Sequence, residues 1–349
     1  MNKIQQVGEI QKFFTIDFRL TTKCNYSCYY CEDLHDNTNS NYTFNLNNLG
    51  KLIQTIKDKY EKKVVLYLFG GEPTLHKDLS NIILSVKDHF EVDDHEILIQ
   101  SNLSLKPNSL NKLITKLKDV KNLKFNISYH NTQTNFMPFF KNCLLLKNNN
   151  RLGLITCMYN KEKCVLQDFK KLKTTFNDVD ISPLICSRLD GNVELDVNKT
   201  NEELKYFKNA VNDPNNFGYF FDKGITVKYD NTNKNKSLYD FWIKKENSFT
   251  GYDCFINQDK IYIEHDGGVY KCFYDVFSKI KPIFNLNDNI EYDTVLNKDC
   301  IICPHKYCHF EVENLKINKD RNNITPEKLS KFYSTSTYRK MVNNERNVR

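Results

Sequence analysis

The sequence predicts an α/β fold built on a parallel sheet, and two patterns support this prediction. Short apolar runs alternate with amphipathic segments six times between residues 13 and 185. The run at residues 63–69 is almost continuously apolar, which is typical of a parallel strand covered on both faces. Helices between successive strands imply parallel pairing with right-handed crossovers. Six units are too few to close an eight-stranded barrel, so we expect an open or partial barrel, with a doubly wound sheet as the alternative.

The individual elements follow from these two patterns. The six strands are predicted at residues 13–20, 63–69, 96–100, 123–128, 152–158 and 179–185. Apolar residues at three- and four-residue spacing predict helices at residues 46–60, 75–90, 107–117, 136–146 and 165–176. Pro107 suits a first helical position. Both candidate folds bind ligands at the carboxyl ends of their strands, so motifs that follow strands are the candidate site.

Three cysteines follow the first predicted strand: Cys24, Cys28 and Cys31 are separated by four and three positions. With 12 Cys in 349 residues, this spacing is rare by chance. Three thiolates on one loop can hold three corners of a [4Fe-4S] cluster and leave the fourth iron open, whereas electron-transfer clusters are normally closed by four Cys. A zinc site completed by His35 is the alternative, since structural zinc takes four ligands.

The arrangement of Cys24, Cys28, Tyr30 and Cys31 resembles the C-x3-C-x-aromatic-C motif of the radical S-adenosylmethionine (SAM) superfamily. The resemblance covers about residues 10–186 and implies a partial (β/α)6 TIM-like barrel. It also implies that the open iron binds SAM and that SAM is cleaved to a 5′-deoxyadenosyl radical, which abstracts hydrogen from a substrate. An external electron donor of the flavodoxin or ferredoxin type would then be a partner.

Further candidate residues follow the next strands. Gly70-Gly71-Glu72-Pro73 allows the backbone to approach a ligand and offers a carboxylate to an ammonium group, and in the resembling family this turn binds the amino group of SAM. Polar residues after the third and fourth strands, including His130, resemble other SAM-contacting positions. The helical His76 and His89 are expected on the surface. The predicted cofactor-binding residues are Tyr30, Gly70, Gly71, Glu72, Ser101, Asn102 and Ser128.

Composition favours a globular cytoplasmic protein. Apolar residues make up 40% and charged residues 27%, no run of 18 apolar residues occurs, and the first residues contain no apolar signal core. Twelve Cys without a secretion signal argue against a disulfide framework. We therefore expect no membrane partner. The scattered cysteines, expected to be buried small hydrophobes, are Cys143, Cys157, Cys164 and Cys186.

A second cysteine group begins at Cys254. Apolar residues at 261–263 and 269–270 flank Asp266-Gly267-Gly268, which predicts a β-hairpin between Cys254 and Cys272. Cys254, Gly267 and Cys272 resemble the signature of the auxiliary-cluster domains of radical SAM enzymes, C-x(9–15)-G-x4-C. The larger (SPASM) type carries seven Cys, so the five late Cys of this chain favour the shorter (twitch) type with one [4Fe-4S] cluster.

The resemblance makes four late cysteines the favoured ligands of the second cluster and leaves one spare. Cys254, Cys272, Cys300 and Cys303 are favoured, and Cys308 could replace one of them. His305 and His309 are further substitutes. A four-cysteine zinc ribbon is the alternative, because C-x2-C pairs suit either metal.

The predicted domains are a radical SAM barrel (10–186), a linker (187–250), an auxiliary-cluster domain (251–312) and a basic tail (313–349). The linker is expected to hold a helix near residues 201–211 and an Asn/Lys-rich turn at 230–236. We favour a peptide or protein substrate, as for maturases of ribosomally made peptides. A small-molecule dehydrogenase is the enzymatic alternative, and a zinc-ordered nucleic-acid-binding module that uses the basic tail is the alternative from another class.

Overall fold

The computed structural model describes residues 4–7, 13–28, 31, 45–91, 95–159, 165–185, 225–229, 232–236, 253–254, 256–277, 280–289, 291–296, 301–302 and 315–317. The strands in chain order are β1 (Ile4–Val7), β2 (Phe13–Thr21), β3 (Lys63–Gly70), β4 (Glu96–Ser101), β5 (Leu123–Tyr129), β6 (Leu152–Tyr159), β7 (Asp180–Ile185), β8 (Ile225–Tyr229), β9 (Thr232–Lys236), β10 (Asp253–Cys254), β11 (Lys260–Ile263), β12 (Gly268–Tyr270), β13 (Phe284–Asn285), β14 (Ile301–Ile302) and β15 (Leu315–Ile317).

The α-helices are α1 (Leu46–Tyr60), α2 (Leu79–Val86), α3 (Pro107–Lys116), α4 (Phe136–Asn148), α5 (Leu166–Thr175), α6 (Phe273–Phe277) and α7 (Tyr292–Val295). The single helix predicted at 75–90 is wrong in its bounds, since a 3-10 turn at Pro73–Leu75 precedes α2 and another at Lys87–Phe90 follows it. His76 lies in the break between the first turn and α2. The imidazole is buried, contrary to the surface position expected from a continuous helical face.

Strands β2 to β7 are six parallel strands that lie side by side in chain order within a nine-stranded sheet. A doubly wound sheet would reverse its strand order at a switch point, and this order does not reverse. The predicted open, partial barrel is therefore confirmed. All six carboxyl ends lie along one edge of the sheet, which we call the carboxyl edge.

The two faces of β2 differ in polarity, and successive side chains of a strand point to opposite faces. The fully buried Phe14, Ile16 and Phe18 belong to the same hydrophobic cluster as the apolar residues of α1. Asp17 and Arg19 alternate with them and occupy the opposite, concave face. The helices thus cover an apolar outer face of β2, and its inner face carries these two charged side chains.

The hairpin predicted between Cys254 and Cys272 is confirmed, and it joins the barrel sheet directly. Strand β11 pairs in parallel with β2, with Ile263 opposite Phe18, and β12 and β13 continue the sheet in antiparallel fashion. Ile261 and Val269 belong to the same hydrophobic cluster as the barrel. Asn48 Nδ2 of α1 also donates to the carbonyl oxygen of Leu286, at 2.7 Å. Strands β11, β12 and β13 consequently extend the barrel sheet.

Two small sheets use segments that the sequence did not predict as strands. One has the order β1-β8-β9 and the other the order β14-β10-β15. The turn expected at 230–236 is wrong for residues 232–236, because β9 pairs with β8 there. Backbone pairing with a neighbouring strand overrides the low strand propensity of Asn and Lys. The helix expected near 201–211 lies outside the described residues.

None of the helices in the described part of the chain is both long and apolar enough to span a bilayer.

Candidate active site

The cysteine segment begins where β2 ends at the carboxyl edge. Cys24, Cys28 and Cys31 are not joined in disulfide bonds, and they range from partly buried (Cys24 and Cys28) to exposed (Cys31). The backbone N–H of Tyr26 donates to Cys24 Sγ at 3.4 Å, and the N–H of Cys31 donates to the carbonyl oxygen of Cys28 at 3.0 Å. The three predicted ligands therefore lie on one short segment whose thiols remain reachable from outside.

The turn after β3 is fastened to this segment through the backbone. Gly71 N donates to the carbonyl oxygen of Thr21, and Glu72 N donates to that of Lys23, both at 2.8 Å. A Cβ on Gly71 would overlap the backbone of Thr22 and Lys23, and Gly70 adopts a φ of +127° that favours glycine. Glycine is required here because two backbones meet, a reason that the sequence did not reveal.

Glu72 is fully buried and accepts from four donors of the protein. Its Oε1 accepts from Thr74 N (3.1 Å), Thr74 Oγ1 (2.5 Å) and Ser101 Oγ (2.8 Å), and its Oε2 accepts from Asn102 N (2.6 Å). Burial raises the pKa of this carboxyl, whereas the four donors favour its ionised form. The carboxylate thus ties the turn after β3 to the end of β4.

Asn102 continues this connection to the cysteine segment. Its Nδ2 donates to Asn25 Oδ1 at 3.1 Å and lies 3.7 Å from Cys24 Sγ. Its Oδ1 accepts from Ser104 N at 3.0 Å. Burial raises the pKa of the Cys24 thiol, and the N–H of Tyr26 opposes that shift. One continuous set of hydrogen bonds therefore runs from Glu72 through Asn102 to the first cysteine.

The loop after β5 approaches the cysteine segment from the other side. His130 Nδ1 lies 3.4 Å from Cys28 Sγ, and Gln133 Oε1 accepts from Ser27 N at 3.2 Å. Burial lowers the pKa of His130 to about 4, so the imidazole is neutral at pH 7. Ser128 lies on the concave face, where its Oγ accepts from Gln100 Nε2. The ends of β2, β3, β4 and β5 thus converge on one site.

The structure brings most of the predicted site residues together. Tyr30, Cys300, Cys303 and Cys308 lie outside the described residues. Cys254 and Cys272 are both buried, and Cys254 pairs through its backbone with Ile301, a neighbour of Cys300 in the sequence. Among the described residues, no three His, Cys, Asp or Glu side chains converge on a point where a single metal ion could bind.

Sequence reasoning missed several residues that shape this site. Thr74, two positions after Glu72, supplies two of its donors, and Asn25 links Asn102 to the cysteine segment. Arg19 and Glu264 form an ion pair at 3.2 Å beside the glycine turn. The polar Arg19 within an apolar strand was a usable signal, whereas no sequence feature indicated its partner 245 positions away.

Comparison with protein families and curated proteins finds partial matches. Residues 18–136 match the family model described as the Radical SAM superfamily. The "Probable GTP 3′,8-cyclase" of Methanocaldococcus jannaschii is 34% identical over 110 residues, which are 31% of this chain and 34% of that protein. A protein of the same name from Methanococcus maripaludis strain C5 is 32% identical over 113 residues, 32% of this chain and 35% of the relative. The chain spans about a third of the length of these relatives.

Solved structures share the fold over a longer stretch. Streptococcus suis SuiB bound to S-adenosylmethionine has a TM-score of 0.55 at 16% identity, over 82% of this chain and 67% of that one. SuiB bound to precursor peptide SuiA has a TM-score of 0.53 at 15% identity, over 82% and 66%. Native anSMEcpe with bound AdoMet has a TM-score of 0.51 at 16% identity, over 96% and 100%. At these identities, the similarity to the solved structures shows a shared fold and nothing more.

Proposed function

We propose that this chain, which contains a radical SAM domain, is an enzyme that cleaves S-adenosylmethionine and abstracts hydrogen from a substrate. A [4Fe-4S] cluster held by Cys24, Cys28 and Cys31 would supply the electron for cleavage, and SAM would supply the 5′-deoxyadenosyl radical. The observation that carries the proposal is the backbone junction at the carboxyl edge, where Gly71 and Glu72 donate to the segment that leads into Cys24.

The cysteine segment supports a cluster. Three thiols that are not joined in disulfide bonds lie on one short segment, and three thiolates can hold three irons of a [4Fe-4S] cluster. The amide of Asn102 beside Cys24 and the ring nitrogen of His130 beside Cys28 offer hydrogen bonds to the cluster sulfurs, an interaction that tunes cluster potential.

The neighbouring strand ends fit SAM. The proposed SAM-binding residues remain Tyr30, Gly70, Gly71, Glu72, Ser101, Asn102 and Ser128. Within this set, Glu72 and Ser101 bond to each other inside the protein, which supports a role in holding the edge in shape. Ser128 lies on the concave face and the glycine turn lies beside the cysteines, which supports direct contact with SAM there.

The experiment is anaerobic incubation of reconstituted protein with dithionite and SAM, followed by detection of 5′-deoxyadenosine. Wild type should form it, and Cys24→Ala, Cys28→Ala or Cys31→Ala should abolish it because a cluster corner is lost. Cys157→Ala is the matched control, since this thiol is buried in the core and burial raises its pKa. Equal product from wild type and the triple Cys→Ala variant, or a colourless zinc protein, would overturn the proposal.

A second [4Fe-4S] cluster in the C-terminal region is part of the proposal. The pairing of Cys254 with Ile301, which stands between Cys300 and Cys303 in the sequence, supports a shared site for these cysteines. Cys272 and Cys308 complete the candidate set. Wild type should bind about eight irons and the triple variant of the first motif about four, because each cube holds four. One zinc and no iron in that triple variant would identify a zinc ribbon instead.

We propose a peptide or protein as substrate, acted on in the cytoplasm with a flavodoxin- or ferredoxin-type electron donor. The fold likeness to SuiB, one structure of which is bound to precursor peptide SuiA, supports this class. The curated relatives named GTP 3′,8-cyclase support a small-molecule substrate as the second candidate. Incubation with peptides encoded beside the gene, and separately with GTP, tests both, because substrate should raise the rate of 5′-deoxyadenosine formation.

A further inference from the structure

Two ion pairs join the C-terminal hairpin to the barrel across the β2–β11 pairing. Lys260 Nζ lies 3.2 Å from Asp17 Oδ2, and Arg19 Nη1 lies 3.2 Å from Glu264 Oε2. The distances are equal and the side chains are similarly buried, with exposed fractions of 17% and 9% in the first pair and 12% and 6% in the second. They differ in position, because Arg19 follows Asp17 by two residues on β2 and Glu264 follows Lys260 by four, so that the second pair lies closer to the carboxyl edge.

The direction of β11 explains why Glu264 reaches the site. Parallel pairing with β2 sends the chain out of β11 at the same edge from which β2 leads to the cysteines. Glu264 is the first residue after β11, and its Oε2 also lies 3.2 Å from Nδ1 of the more exposed His265. The carboxylate is therefore held at the carboxyl edge by a strand from the C-terminal region.

Arg19 transmits this contact to the glycine turn. Its Cγ lies 3.2 Å from the point that a Cβ of Gly70 would occupy, so the arginine stem lies against that residue. Gly70 begins the turn whose next two residues donate to the cysteine segment. The guanidinium end of the same side chain is bound to Glu264. Any change that releases this end frees the stem that supports the turn.

We infer that Glu264 is a positioning residue of the SAM site: it holds Arg19 against Gly70, so the C-terminal hairpin completes a site whose other residues come from the barrel. The inference rests on the proposed function, since it assigns SAM to the glycine turn. Removal of the Glu264 carboxylate breaks the ion pair that holds the guanidinium end of Arg19. Arg19 then turns away from Gly70 toward solvent or another acceptor.

The test compares Glu264→Gln with Asp17→Asn, which neutralises the matched pair on the same two strands. The anaerobic dissociation constant of SAM and the change that SAM causes in the electron paramagnetic resonance spectrum of the reduced cluster are measured beside iron content. Removal of a residue that orients a binding group typically lowers affinity by about 10- to 100-fold. Glu264→Gln should weaken SAM about tenfold with unchanged iron, and Asp17→Asn should stay within about twofold of wild type.

Arg19→Met supplies the second arm, because it removes the guanidinium and keeps an apolar stem. If Glu264 acts through Arg19, then adding Glu264→Gln to Arg19→Met changes SAM affinity no further. Additive losses would overturn the inference, as would equal weakening by Asp17→Asn or wild-type affinity of Glu264→Gln. If Glu264→Gln does not fold, Arg19→Lys tests the inference in its place. Weakened SAM binding by Arg19→Lys would support the inference, and wild-type binding would overturn it. Wild type that binds no SAM would instead refute the proposed function.

Discussion

Glu72 at the carboxyl edge of the parallel sheet and Arg151 at its amino edge are both buried charges, and they are compensated by opposite kinds of partner. At the carboxyl edge, Glu72 collects four N–H and O–H donors from Thr74, Ser101 and Asn102. At the amino edge, Arg151 precedes β6 and donates to backbone carbonyls of the segment between α3 and β5. Those carbonyls belong to Leu117, Lys118, Val120, Lys121 and Leu123.

The two buried charges are stabilised by the same kind of hydrogen bonding, but their partners lie in regions with different roles. Both charges are solvated by dipoles of the protein, and burial lowers the pKa of Arg151 as it raises that of Glu72. The partners of Glu72 lead through Asn102 to Cys24. The partners of Arg151 are backbone atoms of a connection remote from the cysteines in the sheet. Damage at the amino edge should therefore lower stability alone, whereas damage at the carboxyl edge should also affect cofactors.

The largest effect is expected from Gly71→Ala. The new Cβ would overlap the carbonyl oxygen of Lys23, a backbone atom that cannot move without displacing the cysteine segment. We expect bound iron at the first cluster and 5′-deoxyadenosine formation to be lost, as measured by iron analysis and product assay.

Gly153→Ala is the matched control for this prediction. Its Cβ would meet the side-chain oxygen of Asn126, which can rotate away, and would lie 3.1 Å from the carbonyl oxygen of Phe125, a milder contact than the overlap with the Lys23 carbonyl oxygen at Gly71. Strand β6 does not contain or adjoin the cysteine segment. Iron content should remain that of wild type. Equal iron loss in both variants would show that cluster binding does not depend specifically on the backbone junction at Gly71.

At the amino edge, Arg151→Met should lower the free energy of unfolding by about 3 kcal/mol, because several buried carbonyls lose their donor at once. Denaturant unfolding measures this change. Lys124→Met, which removes one exposed bond to the carbonyl of Asn150, should cost below about 1 kcal/mol. The folded Arg151→Met protein should bind iron and SAM as wild type does. A loss of SAM affinity would contradict the expectation that changes at the amino edge lower stability alone.

The barrel could be predicted from the sequence because each of its strands is a local signal. The run at residues 63–69 predicts β3 within one residue, and the spacing from Leu46 to Tyr60 predicts α1 in full. Hydrophobic periodicity records burial, so it finds elements whose faces are buried. The parallel pairing of β11 with β2 joins segments that are far apart in the chain, and no local pattern records such a contact.

The sequence indicated several candidate residues of the site but not the contacts that connect them. The cysteine spacing and the glycine turn identified the two segments that meet at the carboxyl edge. That Glu72 accepts from Thr74, Ser101 and Asn102 depends on how the ends of β3 and β4 lie beside each other. The sequence indicated this carboxylate as an acceptor for SAM, and it did not indicate these internal donors.

Glu72→Gln tests whether this carboxylate stabilises the fold and the SAM site together. An amide cannot accept at both ends, so one donor, such as Asn102 N, loses its acceptor inside the protein. Hydrogen bonds to charged groups are worth about 1.5–3 kcal/mol, and we expect a loss of about 2 kcal/mol in unfolding free energy together with roughly tenfold weaker SAM binding. Glu96→Gln, in a half-exposed pair with Lys63, should change both quantities little. Weaker SAM binding at unchanged stability would instead favour direct contact with SAM.

The smallest effect separates the two serines that were predicted to contact SAM. Ser101 is almost fully buried and donates to Glu72, so Ser101→Ala should lower the unfolding free energy by about 1 kcal/mol. Ser128 accepts from Gln100 on the concave face, so Ser128→Ala leaves the Glu72 connection intact and should change SAM affinity by about fivefold. Melting curves and SAM binding of both variants distinguish the roles. If instead Ser128→Ala lowers stability and Ser101→Ala weakens SAM binding, then Ser128 has the internal role and Ser101 contacts SAM.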